Sequence, residues 1–298
     1  IRRPPRSTRK ESSAASDVYK RQIIFLATVI LIAVAFFYVS SIIATPPNGR
    51  AINLTEQEHP KIGRVVVCIG DSLTHGNIGV CWVESLRQKF PKDIFLNEGI
   101  NGDVVWQVHQ RIEPILKCKP DIAIIMIGSN DAMASFNKNS GERYKRNNSL
   151  PEVPTFENYQ KLLSELIDHL STIPKIVLCT LPPIGEHQDS SINQHINKFN
   201  DCIKLTAQEK NISLLPVSDS LWDELDKRLY PLRSDYDPNT LPILRRIYGG
   251  VMHHYVFKKS WDKVAESKGQ WLLFDQIHLG ERAAKIIYKL TKNYISSS

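Results

Sequence analysis

The 298-residue sequence has no C-x-x-C pair, and its five cysteines are an odd number. That argues against a thiolate zinc site and against a dense disulfide framework. Cys68 and Cys179 sit inside apolar runs, where a thiol acts as a small hydrophobe. One disulfide among Cys81, Cys118 and Cys202 remains open. His253 and His254 are adjacent rather than at ligand spacing, so a solvated pair is expected there and no metal. No internal repeat and no G-x-S-x-G stretch occurs, so the nucleophile elbow built on that motif fits poorly. Excess charge is also lacking where a polyanion would need it. Of the net charge of +7, residues 1–22 supply +5, from seven Lys/Arg and two Asp/Glu. The near-neutral remainder argues against a nucleic-acid partner.

What is present changes character along the chain. Residues 1–22 are rich in Arg, Pro and Ser and have no apolar periodicity, so disorder is expected. They resemble a translated sequencing adapter more than a natural leader. Ile23 to Ala44 carries no charge over 22 residues, enough to cross the hydrocarbon core of a bilayer. This length favours a transmembrane anchor over a cleaved signal segment, whose apolar region is roughly 7–15 residues. Either reading delivers the rest of the chain outside the cytoplasm, membrane-anchored or, after cleavage, secreted. Residues 45–62, with three prolines, read as a linker to a domain over 63–298.

Within that domain, apolar runs at Val65–Ile69, Ile94–Leu96, Ile122–Ile127, Ile176–Cys179 and Ile212–Leu215 lack in–out alternation. Such runs suit parallel strands covered on both faces. Helical spacing joins Val104, Val105, Val108, Ile112, Ile115 and Leu116, and again Leu162, Leu163, Leu166 and Leu170. Further helices are expected over Ile192–Glu209 and around Ala283–Leu290. This alternation predicts a three-layer α/β fold with a central parallel sheet and ligands at the strands' carboxyl ends. Residues 132–154 and an insertion at about 217–270 exceed ordinary loop length and are expected at the active-site edge, where they cover the sheet or shape a substrate pocket.

Four short stretches carry the chemistry. Gly70-Asp71-Ser72-Leu73-Thr74-His75-Gly76 follows the first apolar run, placing a serine on a turn at a strand end. Asn97-Glu98-Gly99-Ile100-Asn101-Gly102 follows the second run, and Gly128-Ser129-Asn130-Asp131 the third. Asp275-Gln276-Ile277-His278 precedes the closing helix. In order and spacing these resemble the four sequence blocks of the SGNH hydrolases, the GDSL-type esterases and lipases. The resemblance runs from about Gly63 to the C-terminus and implies a flavodoxin-like fold and a serine esterase that uses no cofactor. It implies Ser72 as nucleophile, His278 as general base and then acid, and Asp275 as the group that orients it. Oxyanion donors would be the Ser72 N–H, the Gly102 N–H and the Asn130 side-chain amide, with Gly99 competing for the second place. Asp71 and Asp131 read as turn-holding carboxylates. Members similar in motif cleave lipid esters, thioesters or O-acetyl groups on carbohydrates. Acyl transfer to a sugar or lipid acceptor uses the same residues, and an inactive binding module is the remaining alternative.

Overall fold

A computed structural model of the chain describes residues 8–53 and 63–297 and divides it into two units. The first, up to Ala44, is one helix, α1, Thr8–Ala44. Its stretch from Ser16 is long and apolar enough to cross a membrane. The helix corrects the expected disorder, since residues 8–22 are helical. No proline follows Pro5 before the apolar run, and Ala14 and Ala15 favour helix, so a helix nucleated downstream propagates backwards. Residues 1–7 of that stretch lie outside the described residues.

The second unit, from Thr45, holds five parallel strands. They are β1 (Val65–Gly70), β2 (Ile94–Gly99), β3 (Ile122–Met126), β4 (Lys175–Cys179) and β5 (Ser213–Leu215). Their spatial order is β2-β1-β3-β4-β5, the flavodoxin-like order. Register is continuous from Val66 opposite Ile122 to Gly70 opposite Met126, so the ends of β1 and β3 lie side by side. In this topology the chain leaves β1 toward one edge and returns to build toward the other. The crevice at that reversal is where such sheets bind ligands.

The helices between strands are α2 (Ser72–His75), α3 (Trp82–Lys89), α4 (Val105–His109), α5 (Ile112–Lys117), α6 (Ser129–Ser135), α7 (Lys138–Asn147), α8 (Phe156–His169) and α9 (Ser191–Glu209). After β5 come α10 (Val217–Leu225), α11 (Thr240–Tyr255), α12 (Trp261–Ser267) and α13 (Glu281–Ser297). Successive strand residues point to opposite faces. Val65, Val67, Ile69, Ala123 and Ile125 join a core with Val105, Ile115, Leu163, Leu166 and Phe199 from α4, α5, α8 and α9. Val66, Cys68, Ile122 and Ile124 join a second core with Trp82, Leu86, Leu221 and Ile287 from α3, α10 and α13. Both faces being covered explains why these strands read as unbroken apolar runs.

Three local features differ from the sequence pattern. The helical spacing from Val104 to Leu116 is split into α4 and α5, because Pro114 has no N–H for the carbonyl of Gln110 and its ring clashes there. The linker expectation fails for residues 45–53. There the Asn97 N–H donates to Gly49 O at 3.0 Å, and the Ala51 N–H donates to Glu98 Oε1 at 2.7 Å. Arg50 pairs with Glu98 at 2.9 Å, and Ala51 is buried in the first core. This segment therefore belongs to the domain, and the rest of the predicted linker, 54–62, lies outside the described residues. His253 and His254 are not simply solvated: the His254 ring stacks on Trp261 with centroids 4.1 Å apart. All five cysteines are free, and the open disulfide does not form among the described residues.

Candidate active site

Ser72 stands at the first position of α2, directly past β1. Asp71 caps that turn through its Oδ1, which accepts the Leu73 N–H at 2.9 Å. Asn97 at the end of β2 ties into the same turn, donating to Thr74 O at 3.1 Å while accepting the Gly99 N–H at 3.0 Å. Gly99 passes so close that a Cβ there would lie 2.2 Å from the His75 nitrogen, which leaves no room for a side chain. The Gly99 N–H is therefore committed to Asn97, which weakens its claim as an oxyanion donor. Gly102 has φ +83, the left-handed conformation a side chain resists.

The loop after α12 brings Asp275 and His278 to Ser72 from the far end of the chain. His278 Nδ1 lies 2.7 Å from Asp275 Oδ2, and His278 Nε2 lies 3.0 Å from Ser72 Oγ. Asp275 Oδ1 accepts two further backbone N–H groups, from Ile277 at 3.0 Å and His278 at 2.7 Å. Burial pushes this carboxyl up, but the adjacent imidazole and these hydrogen bonds outweigh it, leaving it below the ordinary carboxylate value. An ionised Asp275 only accepts, so Nδ1 carries the hydrogen and Nε2 is left to accept the Ser72 proton. Ser72, His278 and Asn130 are only 6%, 5% and 4% exposed, so the site is tightly enclosed.

Asn130 sits in the first turn of α6, immediately after β3. Its Nδ2 donates to Asp103 O at 2.9 Å, and its Oδ1 accepts from the Tyr144 hydroxyl at 2.7 Å. The neighbouring Asp131 is buried and accepts the Val105 N–H through both oxygens, at 3.2 and 3.1 Å, which pins the start of α4. Burial pushes Asp71 up to about 7 and Asp131 up to about 8.

Several residues that carry the site were not legible in the sequence. Glu186 extends its carboxylate to the N–H groups of Trp271, Leu272 and Leu273 at 2.6–2.9 Å, holding the strand of chain that leads to Asp275. Gln276, between Asp275 and His278, has φ +79, a conformation costing about 1–2 kcal/mol for a residue with a side chain. It is held by donation of its Nε2 to Ser234 O and Asp235 O, at 2.9 and 3.0 Å, and by Arg246 on its Oε1. The insertion after β5 thus clamps the catalytic loop. From α12, Trp261 packs on Phe274, whose ring lies 6.0 Å from that of His278.

The family model of the GDSL-like Lipase/Acylhydrolase family matches residues 68–285, from inside β1 into α13. The chain belongs to this family. As a GDSL-like, SGNH-type protein it is a serine hydrolase acting on ester bonds. Solved structures that share the fold include the following two. One is an acetylxylan esterase from Geobacillus stearothermophilus, with TM-score 0.54 and 18% identity over 78% of this chain and 94% of that chain. The other is an alpha/beta hydrolase enzyme from the metagenome of Lake Arreo, Spain, with TM-score 0.52 and 19% identity over 77% of this chain and 94% of that chain. No curated protein matches the sequence.

Proposed function

We propose that the GDSL-like domain hydrolyses a carboxylic ester through a covalent acyl-enzyme on Ser72. The observation that carries this reading is the continuous chain from Asp275 Oδ2 through both nitrogens of His278 to Ser72 Oγ. In the first step Ser72 Oγ attacks the ester carbonyl carbon as its proton passes to His278 Nε2. The imidazolium formed is stabilised by ionised Asp275 and returns the proton to the leaving alkoxide. Water then attacks the acyl carbon as its proton passes to His278 Nε2; the carbon–Oγ bond breaks, and His278 returns the proton to Ser72 Oγ as the carboxylic acid leaves. The Ser72 N–H, Gly102 N–H and Asn130 Nδ2 are the groups we assign to the developing oxyanion. No step requires a cofactor.

For the substrate we favour an O-acetylated carbohydrate over lipid esters and thioesters. The enclosure of Ser72 supports a small acyl group, and one structural neighbour is an acetylxylan esterase. The deciding experiment is turnover of acetylated glycans beside p-nitrophenyl esters of increasing chain length, with and without a sugar acceptor. Release of acetate, falling steeply with acyl length, is the expected result. Acylated acceptor in place of free acid would make the domain a transferase. Ser72→Ala should abolish both turnover and fluorophosphonate labelling, and persistent turnover would sink the mechanism.

A further inference from the structure

The amide of Asn130 has two hydrogens on Nδ2, and one is engaged by Asp103 O at 2.9 Å. A flipped amide would set two acceptors against each other there, so the orientation is settled and the second hydrogen remains for an oxyanion. Its carbonyl oxygen is met by the Tyr144 hydroxyl at 2.7 Å. Tyr144 lies on α7, inside the long segment after β3, and nothing in the four sequence blocks points to it. One turn further along, Asn148 Nδ2 donates to Gly102 O at 3.3 Å. The same segment therefore touches both oxyanion donors that Ser72 does not itself supply.

We infer that Tyr144 is a positioning residue, whose hydroxyl fixes and polarises the Asn130 amide so that its free N–H is a stronger donor to the oxyanion. This rests on the assignment of Asn130 under Proposed function. Donation to an amide oxygen draws electron density from the nitrogen and strengthens the hydrogen bond given at the other end. Burial pushes the Tyr144 phenol above its ordinary value, so the hydroxyl keeps its proton throughout the working range. Because the donor's strength matters most when the oxygen carries charge, the contribution belongs to the transition state.

The test is a double-mutant cycle on the full chain with a soluble ester. Tyr144→Phe keeps the ring and removes the hydroxyl. It should lower kcat about 10-fold, part of the roughly 10²–10³-fold loss expected for removing the donor itself, with KM within about twofold. In an Asn130→Ala background the same change should cost almost nothing further, since the group it acts through is gone. Equal losses in both backgrounds, or a raised KM at normal kcat, would overturn the proposal. Normal kcat in Tyr144→Phe beside an impaired Asn130→Ala overturns the Tyr144 role alone. Normal kcat in Asn130→Ala removes the donor assignment, and the Tyr144 role with it. Should Tyr144→Phe fail to fold, a fluorinated tyrosine at 144 keeps the hydroxyl while making it a stronger donor. A changed kcat at constant KM then supports the role, and an unchanged kcat overturns it.

Discussion

Asn130 shows how much one side chain of this site is asked to do. It bonds Asp103 and Tyr144 in the resting state and is proposed to stabilise charge in the transition state. Asn130→Ala leaves the Ser72–His278–Asp275 chain in place and should lower kcat on the order of 10²–10³-fold with KM little changed. Steady-state kinetics on a p-nitrophenyl ester checks this, and a raised KM at near-normal kcat would make Asn130 a ground-state binding residue. Its neighbour Asp131 sets a pH dependence. Burial lifts its carboxyl from 3.8 to about 8. A group raised in the folded state contributes stability that is fully present below its unfolded value and is lost as pH rises through the folded value. Asp71, lifted to about 7, acts with the same sign. Unfolding midpoints in urea should therefore fall as pH rises from 3.8 and level off above about 8, and Asp131→Asn, which stays neutral, should flatten that fall. A midpoint that rises over this window in the parent protein would contradict the buried-neutral assignment.

Single elements place the catalytic groups, and the loop from Trp271 to His278 depends on others for its shape. Glu186, in the loop after β4, accepts three consecutive N–H groups of that loop, and Arg228 adds a contact at 3.4 Å. Glu186→Ala strands those buried donors, each worth about 1–3 kcal/mol when unsatisfied. A total loss of about 3 kcal/mol or more is expected in chemical denaturation, with kcat falling as the Asp275–His278 geometry loosens. Glu186→Gln keeps one acceptor oxygen and should cost less. Equal, small effects of both changes would show that the loop holds itself. The insertion after β5 acts in the same sense through Gln276 and Phe274, so its first role is to support the catalytic loop from behind. Whether it also forms a wall of the substrate pocket is a matter for selectivity, and we propose that it does.

At the scale of the whole molecule, the GDSL-like domain is joined to a helix whose stretch from Ser16 to Ala44 is apolar enough to span a bilayer. We propose that this helix anchors the enzyme, with the catalytic domain on the extracytoplasmic side, where glycan esters are accessible. Protease added to intact cells or spheroplasts should digest the domain while leaving a membrane-bound fragment. Protection until the membrane is lysed would reverse the orientation, and a fully soluble mature enzyme would mean the helix is a cleaved signal.

The parallel sheet was legible in the sequence because strands buried on both faces must be apolar at every position, as from Val65 to Ile69. The four blocks were legible because each lies at a strand end or just before α13, within a few residues of a strong periodic pattern. The split of α4 from α5 was also written there, in Pro114, although the apolar spacing obscured it. Tertiary structure alone decided which residues support the site. Ser72 and His278 meet across 206 positions of sequence, Tyr144 reaches Asn130 from an insertion, and Glu186 finds its three partners 85–87 positions away. Hydrogen bonds to backbone groups leave almost no mark on residue type at the receiving end. A carboxylate that holds a distant loop therefore reads, in one dimension, like any other glutamate.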